Sequence, residues 1–326
     1  MKLRARLSIS YSAAVSFLLV LATNTGNAQS FPSRPIRVII PYAAGGGSDI
    51  TARIVQNKAM ELLGQQLIVD NRAGGGTLIG TRMVQAANAD GYTVGVMDPA
   101  FIINPTLVRD AGYWALKDFA PITLISATPL ILVVHPAVPA KSVQELVDYA
   151  KANPGKLNYG SPGDGSAGHI AIEQFRAHFG LKMTHIAYKG AGPAVTALLA
   201  GEIPMLLAGS GAVPFVQDSR LRGLAATSDR RLASIPSVPT FTEIGYPQVN
   251  VQTFAGVVAP AGIPAAALKR LHAAFAGAAL TPEVKNRLEQ LNQFAVGNTP
   301  AEFATFLKEN EVRLVQVLKD AGLKTN

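Results

Sequence analysis

Residues 36–63, with the sequence IRVIIPYAAGGGSDITARIVQNKAMELL, decide the fold. The first five of them, Ile36–Ile40, are mostly β-branched and are followed by Pro41, which is typical of a short buried strand. A glycine-rich turn leads into residues 49–63, which show helical periodicity and are followed by Gly64 as a C-cap. The apolar residues of this helix are Ile50, Ile54, Met60 and Leu63. The stretch predicts a strand, a tight turn and a helix, which together form the first unit of a parallel α/β sheet.

The same alternation continues along the chain. Further strands are predicted at 67–69, 93–97, 130–134, 157–159, 184–187, 205–207 and 221–227. Further helices are predicted at 77–86, 143–152, 167–179, 193–200, 264–279, 282–291 and 301–321. No flexible linker separates the two halves, which suggests that strands cross between two lobes. The order of elements predicts an α/β fold.

The length of 326 residues favours two domains, and the composition excludes several classes of protein. Hydrophobic residues make up 48% of the chain, which excludes disorder, and the absence of cysteine excludes a disulfide scaffold. The net charge of +8 raises the question of nucleic-acid binding. The basic residues are dispersed, however, and form no stripe with interleaved aromatic residues, so we expect no nucleic-acid partner.

Residues 1–28 have the pattern of a cleavable signal peptide, with a basic start, an apolar run at 13–22 and small residues before a cleavage site at Ala28/Gln29. The run is about half of the ~20 apolar residues that span a bilayer. No cysteine at the junction could carry a lipid anchor. Cleavage leaves 26 basic and 21 acidic residues, a charge of +5. We expect a periplasmic protein that is not itself anchored in a membrane.

Glycine-rich turns precede three of the predicted helices, at 44–49, 74–77 and 160–168. Glycine lets the backbone approach a ligand closely, and the helix that follows offers unpaired N–H groups and a partial positive charge. Two such turns would hold a carboxylate with micromolar affinity, about −8 kcal/mol. Any α/β protein also needs glycine at such turns, so the pattern alone leaves both interpretations open.

The residues that could carry catalysis or bind a metal show no strong pattern. The G-x-G-x-x-G match at 163–168 has no acidic residue about twenty positions later to hold a ribose. Ser161 and Ser166 have Asp164 and His169 close in sequence, but residues of one turn rarely converge as a triad. The five histidines lack metal-binding spacing. We expect no catalytic residues, no cofactor and no metal, with a serine hydrolase as an alternative.

Short motifs along the chain resemble those of one known family. The resemblance begins with Arg34-Pro-Ile-Arg-Val-Ile-Ile-Pro41 and continues with the turn Gly46-Gly-Ser-Asp49. Further matches, in order, are Val69-Asp-Asn-Arg-Ala-Gly-Gly75, Ala89-Asp-Gly-Tyr-Thr93, Ile103-Asn-Pro105, Asp118-Phe-Ala-Pro121, Asn158-Tyr-Gly-Ser161, Tyr188-Lys-Gly190, Ser237-Val-Pro-Thr240 and Ala259-Pro-Ala-Gly262. The chain thus resembles the substrate-binding proteins of tripartite tricarboxylate transporters, the Bug family.

This resemblance implies a two-lobed, periplasmic-binding-protein-like fold of type II. Each lobe would hold a mixed, mostly parallel sheet flanked by helices. Lobe 1 would comprise residues 29–125 and 251–326, and lobe 2 residues 126–250. The resemblance also implies a monomeric receptor that closes on a small organic carboxylate and delivers it to the membrane subunits of a transporter. A sensor that presents its ligand to a signalling protein is an alternative that the fold does not distinguish.

The ligand cradle of the family maps onto the turns at 42–48 and 161–168, and lobe closure brings the turn at 207–211 towards it. Many members carry an acidic residue in this last turn. Its absence here argues against an amino acid as ligand, since an ammonium group would lack a partner. Phe101 and Phe254 either flank an apolar part of the ligand or belong to the core. The predicted ligand-binding residues are Tyr42, Gly45, Gly46, Gly47, Ser48, Phe101, Ser161, Gly165, Ser166, Ala167, His169, Tyr188 and Ser210.

Overall fold

A computed structural model describes residues 31–322, so the predicted signal peptide and its cleavage site lie outside the described residues. No helix in this range is long and apolar enough to cross a membrane. The strands are β1 (Ile36–Ile40), β2 (Leu67–Asn71), β3 (Thr93–Met97), β4 (Phe119–Pro129), β5 (Ile131–Val134), β6 (Asn158–Ser161), β7 (Thr184–Ala187), β8 (Met205–Ala208), β9 (Arg222–Ala226), β10 (Gln252–Pro260) and β11 (Phe294–Ala295). The helices are α1 (Gly47–Leu63), α2 (Leu78–Gln85), α3 (Pro99–Leu107), α4 (Ala115–Asp118), α5 (Val143–Ala152), α6 (Ala167–Phe179), α7 (Ala191–Leu199), α8 (Val213–Gln217), α9 (Ala265–Leu280), α10 (Pro282–Glu289) and α11 (Pro300–Asp320).

The first sheet has six strands in the order β11-β4-β10-β3-β1-β2. Strand β1 is parallel to both β2 and β3, which is the β-α-β-α-β unit that the sequence predicts. Strand β10 is antiparallel to β3 and to β4, and β11 is antiparallel to β4. The carboxyl ends of β1 and β3 therefore lie at the same edge of this sheet, where the turns into α1 and α3 begin.

The second sheet has five strands in the order β7-β6-β8-β5-β9. Strand β6 is parallel to β7 and β8, and β5 is antiparallel to β8 and β9. Both sheets therefore hold a parallel three-strand unit followed by an antiparallel strand, which confirms the prediction of two mixed sheets. Parallel strand pairs do not outnumber antiparallel pairs. The reason is that β10 in the first sheet and β5 in the second are antiparallel to both of their neighbours.

Strands β4 and β10 connect the two sheets. Strand β4 leads directly into β5 through Leu130, and β10 returns the chain from the second sheet to the first. The two strands pair with each other from Phe119 opposite Pro260 to Pro129 opposite Gln252. The boundary that we predicted at 125/126 falls inside β4, which stays paired in the first sheet as far as Pro129.

The largest hydrophobic core is continuous between the two sheets. It joins Leu124 of β4 and Val258 of β10 to Leu132 of β5, and it includes Phe303 and Leu314 of α11. Helix α11 packs on β4, on α3 and on α6, so it contacts elements associated with both sheets. The halves on either side of the cleft are thus held by a shared core as well as by the crossing strands.

Helix α1 buries a different face from the one that the large apolar residues predict. Its buried hydrophobic residues are Ala52, Val55, Ala59 and, as predicted, Leu63, whereas Ile50, Ile54 and Met60 are only partly buried. The helix packs against α9, whose sequence is rich in alanine. Small side chains on both helices allow a close approach, and a periodicity of large residues does not reveal such a face.

Strands β4 and β10 and helix α3 were not predicted. Each contains residues that normally break its type of element: Pro121 in β4, Gly256 in β10 and Pro105 in α3. The pairing of β4 with β10 also shifts register twice, which disrupts any regular alternation.

Candidate ligand-binding cleft

A cavity lies between the two sheets and is lined by side chains and backbone from both. The space between its lining residues is about 600 Å³, a volume that includes open solvent at the mouth. The first sheet and its connections contribute Tyr42, Gly46, Gly47, Ser48, Thr51, Asp98, Thr128, Thr253, Phe254, Ala255 and Gln293. The second contributes Pro162, Ser166, Ala167, Gly168, Ala191, Leu207, Gly209 and Ser210, with Leu130 at the connection.

The amino terminus of α1 opens into this cavity. Its N-cap is Gly46, which has extended backbone angles and no side chain that could bond the first N–H groups. Gly46, Gly47 and Ser48 all line the cavity. The free N–H groups and the positive end of the helix dipole are therefore available to an anion.

Asp49 stabilises the turn that precedes α1 through its side-chain hydrogen bonds. Its carboxylate accepts hydrogen bonds from the Gly45 N–H at 2.9 Å and from Arg53 at 3.0 Å, and a third comes from Asn71. Burial alone would raise the pKa of Asp49, but the bonds from Arg53, Gly45 and Asn71 outweigh it and lower the pKa. Gly45, at φ +82°, therefore shapes the turn and does not line the cavity.

A second helix begins on the opposite wall of the cavity. The N-cap of α6 is Ser166, whose hydroxyl accepts a hydrogen bond from the His169 N–H at 3.3 Å. Ser166, Ala167 and Gly168 line the cavity. A Cβ on Gly168 would lie 2.6 Å from the Leu207 carbonyl oxygen, so glycine allows α6 to begin tight against β8.

A third helix, α7, also begins at the cavity. Ala191 lines it, and the N-cap Gly190 offers no side-chain hydrogen bond. Three helix N-termini from two sheets thus converge on one enclosed space. No lysine, arginine or histidine is among the described residues that line it. Backbone N–H groups, hydroxyls and the Gln293 amide are therefore the donors that line this cleft.

Gln293 joins the two halves inside the cavity. Its Oε1 accepts a hydrogen bond from the Thr51 hydroxyl at 2.6 Å, and its Nε2 donates one to the Ser210 hydroxyl at 2.8 Å. Thr51 belongs to α1 and Ser210 follows β8, so one buried amide bonds to both halves.

Two further contacts connect the halves beside the cavity. The Ala43 N–H donates to the Lys189 carbonyl at 3.2 Å, and the Asn292 side chain donates to the Ser234 hydroxyl at 2.5 Å. The structure therefore shows the lobes in direct contact around the cavity.

Asp98 is the one acidic residue among the described residues that line the cavity. It follows β3 and forms the N-cap of α3, where it accepts a hydrogen bond from the Ala100 N–H at 3.0 Å. The Tyr42 hydroxyl donates to its other oxygen at 2.5 Å. Burial raises the pKa of Asp98 to about 6, although the bonds from Tyr42 and Ala100 act in the opposite direction.

Seven of the thirteen predicted site residues line the cavity, and six lie elsewhere. Those that line it are Tyr42, Gly46, Gly47, Ser48, Ser166, Ala167 and Ser210. Besides Gly45, the others are Phe101, Ser161, Gly165, His169 and Tyr188. Phe101 is a core residue, which corrects the prediction that it flanks the ligand, because α3 turns it against Tyr113 and Phe119. Tyr188 lines a separate neighbouring cavity.

Ser161, Gly165 and His169 belong to a buried cluster behind the α6 turn. The Ser161 hydroxyl lies 2.6 Å from His185 Nε2, and His185 Nδ1 lies 3.5 Å from an Asp164 carboxylate oxygen. His169 stacks on His185 with ring centroids 4.1 Å apart, and its Nδ1 accepts the Gly165 N–H. His185, which lies on β7 beside β6, is therefore the histidine that contacts Ser161, and it was not singled out from the sequence.

This cluster resembles both a hydrolase triad and a metal site. Potential ligand atoms of Asp164, His169 and His185 lie within 4.8 Å of one another. Ser161 is fully buried and does not line the cavity, so it does not face a ligand there. One ring nitrogen of each histidine is already engaged, His169 with Gly165 and His185 with Ser161. These hydrogen bonds hold the turn that precedes α6, so the cluster has a structural role there.

The sequence did not reveal Gln293, Asp98 or Thr51 as cavity residues. Gln293 meets Ser210 across 83 positions and Asp98 meets Tyr42 across 56. The one local signal is the position of Asp98 directly after a predicted strand, at the carboxyl edge of the sheet.

Comparison with known proteins places these features in context. The family model described as the tripartite tricarboxylate transporter family receptor matches residues 51–323. A protein of Pseudomonas sp. (strain P51), named for the tcbD-tcbE intergenic region, is 34% identical over 94% of this chain and 93% of its own length. BugT of Bordetella pertussis is 31% identical over 91% of this chain and 92% of its own.

Two solved structures share the fold closely. Rpa4515 of R. palustris, solved with adipate, has a TM-score of 0.87 and 28% identity over 90% of this chain and 99% of its own. MatC from Rhodopseudomonas palustris, solved with bound malate, has a TM-score of 0.85 and 27% identity over 88% of this chain and 100% of its own. These likenesses confirm the α/β fold with two mixed sheets that the sequence predicts.

Proposed function

This chain belongs to the family of tripartite tricarboxylate transporter receptors, and we propose on that premise that it binds one small organic carboxylate in the cleft and delivers it to a membrane transporter. The family is one of solute-binding receptors. The proposal concerns the class of ligand, its place in the cleft and the partner that receives it.

The observation that supports a carboxylate is the convergence of three helix N-termini on one enclosed cavity. The starts of α1 and α7 have glycine N-caps without side-chain hydrogen bonds, and α6 adds the Ser166 hydroxyl. Each charge-assisted hydrogen bond to a carboxylate contributes ~1.5–3 kcal/mol. A few of them, from both walls, are enough for micromolar binding, about −8 kcal/mol.

The same geometry links binding to lobe closure. The N-termini of α1 and α6 lie on opposite walls, so only a closed cleft lets one carboxylate bond to both. The ligand therefore favours the closed arrangement by the free energy of the bonds that the open one lacks. A transporter that recognises the closed receptor would then take up loaded protein in preference to empty protein.

Two relatives support the ligand class. Rpa4515 was solved with adipate and MatC with malate, and both ligands are carboxylates. The transporter as partner follows from the family, and a periplasmic location follows from the predicted signal peptide together with the family. Transport fits these findings without a catalytic step.

The test is thermal melting of the mature chain, residues 29–326, with a panel of mono- and dicarboxylates and their carboxamides. A carboxylate present at 100 times its Kd adds about 2.7 kcal/mol to the free energy of unfolding and raises the Tm. We expect the matching carboxamide, which lacks the charge, to have little effect. A flat response to the whole panel of acids would contradict the proposal.

A further inference from the structure

Asp98 places a negative charge in a cavity whose helix N-termini favour negative ligands. It is 7% exposed. No lysine, arginine or histidine lies within ion-pair distance of it among residues 31–322. A buried carboxylate without a cationic partner carries a free-energy cost. A functional role for the Asp98 carboxylate would explain why this cost is accepted.

The two hydrogen bonds to Asp98 do not use its full capacity. One oxygen accepts from the Tyr42 hydroxyl and the other from the Ala100 N–H. A carboxylate has about four acceptor positions, so about two remain. Because Asp98 and Tyr42 both line the cavity, a bound molecule can reach the pair with a donor group.

The structural role of Asp98 does not require its charge. As the N-cap of α3 it accepts one backbone N–H, and an asparagine caps a helix as well as an aspartate. An ionised group at this position is explained by a ligand that brings a complementary donor.

We propose that Asp98 selects ligands that carry a single carboxylate and a separate ammonium or hydroxyl group, and disfavours dicarboxylates. The inference rests on the proposed function. The ligand carboxylate would lie at the helix N-termini, and the donor group would bond to Asp98. A second ligand carboxylate at that end would meet a like charge. The acid missing from the turn 208–211 is thus supplied from the end of β3.

The test compares ligands of equal chain length by calorimetry at pH 7.5. One series is succinate, 4-hydroxybutyrate and 4-aminobutyrate, and the other is adipate, 6-hydroxyhexanoate and 6-aminohexanoate. We expect the wild type to bind an amino or hydroxy acid at least about tenfold more tightly than the dicarboxylate of the same length, the effect of one charge-assisted hydrogen bond.

The variant Asp98→Asn keeps the cap and the shape but removes the charge. We expect it to lose about tenfold or more in affinity for the preferred ligand and to gain affinity for the dicarboxylate. Glu283→Gln is the matched control, since it removes an exposed carboxylate from the first turn of α10, away from the cavity. It should bind as the wild type does. Asp98→Ser, which also caps, repeats the test if the asparagine variant folds poorly.

The outcomes separate this inference from the proposed function. A wild type that prefers dicarboxylates, or an unchanged preference in both Asp98 variants, would overturn the role of Asp98 and leave the carboxylate receptor standing. A wild type that binds none of the acids in the wider panel would contradict the proposed function itself.

Discussion

Among single residues, Gln293 has the most direct influence on the cleft. It is almost fully buried, and its amide bonds to Thr51 on one side and to Ser210 on the other. Opening the lobes must break the bond to Ser210, because the serine moves with the second sheet. Gln293 therefore stabilises the closed arrangement and helps to define the cavity that a ligand enters.

Replacement of Gln293 by leucine tests whether its amide stabilises the closed arrangement of the lobes. Gln293→Leu keeps the volume but leaves the buried Ser210 hydroxyl without its partner, at about 1–3 kcal/mol, whereas the Thr51 hydroxyl keeps its bond to the Gly47 carbonyl. We expect ligand affinity to fall about tenfold and the Tm to fall by several degrees. Gln290→Ala, an exposed glutamine three positions earlier, serves as the control. Wild-type affinity in Gln293→Leu by calorimetry would show that the amide does not contribute to closure.

Two buried groups respond to pH in opposite directions. Burial, then the neighbouring His185, lowers the pKa of His169 from 6.5 to about 4, so its stabilising contribution is present above pH 6.5 and is lost as the pH falls towards 4. Burial raises the pKa of Asp98 from 3.8 to about 6, so its contribution is present below pH 3.8 and is lost as the pH rises through 6.

Variants of the two residues should separate these effects. Between pH 7 and pH 4 we expect the stability of His169→Asn to fall less than that of the wild type, and that of Asp98→Asn to fall more. Each difference should be on the order of 2 kcal/mol. Urea unfolding at several pH values measures it. Parallel curves for all three proteins would contradict the assignment.

Several of the cavity residues that were correctly predicted from the sequence owe their position to a local structural pattern. Gly46, Gly47 and Ser166 lie at strand-to-helix turns, and the pattern of such turns is visible over a few positions. Asp98 and Gln293 acquire their roles from partners 56 and 83 positions away, and no local pattern reports a contact of that kind.

On the scale of elements, the helix N-termini are the parts that the ligand would contact. Helix α6 differs from α1 and α7 in that a serine side chain caps it. The alternation of strands and helices was predictable from periodicity. Strands β4 and β10, which join the lobes, were not predictable from periodicity. Prolines and register shifts disrupt the regular alternation of their residues.

The cap of α6 can be tested against a matched cap elsewhere. Ser142 caps α5 by the same interaction, accepting the Glu145 N–H at 3.1 Å, and it does not line the cavity. We expect Ser166→Ala and Ser142→Ala each to lower the free energy of unfolding by about 1 kcal/mol. Only Ser166→Ala should also weaken carboxylate binding, as titration would show. Equal binding by both variants would mean that the Ser166 hydroxyl does not reach the ligand.

For the whole molecule, the essential feature is one cavity built by two sheets. The crossing strands, the shared core and the contact of Ala43 with Lys189 hold the halves around it. Two lobes could be predicted from the repeated α/β pattern and the family resemblance. The arrangement of the lobes around the cavity depends on side chains that meet only in three dimensions.

The central claim is that a small carboxylate binds inside this cavity, and Gly209 allows the most direct test. A Cβ on Gly209 would lie 3.8 Å from its nearest neighbour, Thr253, and its other neighbours, Thr128 and Leu130, also line the cavity. A Cβ at this position therefore meets only side-chain atoms that line the cavity, and we expect a larger side chain to extend into it. Gly211, which has nothing within 4 Å of such a Cβ, provides the control.

The measurement is calorimetric titration of the mature wild type, Gly209→Leu and Gly211→Leu with the carboxylate that raises the Tm most. We predict one equivalent bound by the wild type and by Gly211→Leu, and none by Gly209→Leu, with all three proteins melting close together in the absence of ligand. Binding of unchanged affinity by Gly209→Leu would show that the carboxylate binds elsewhere.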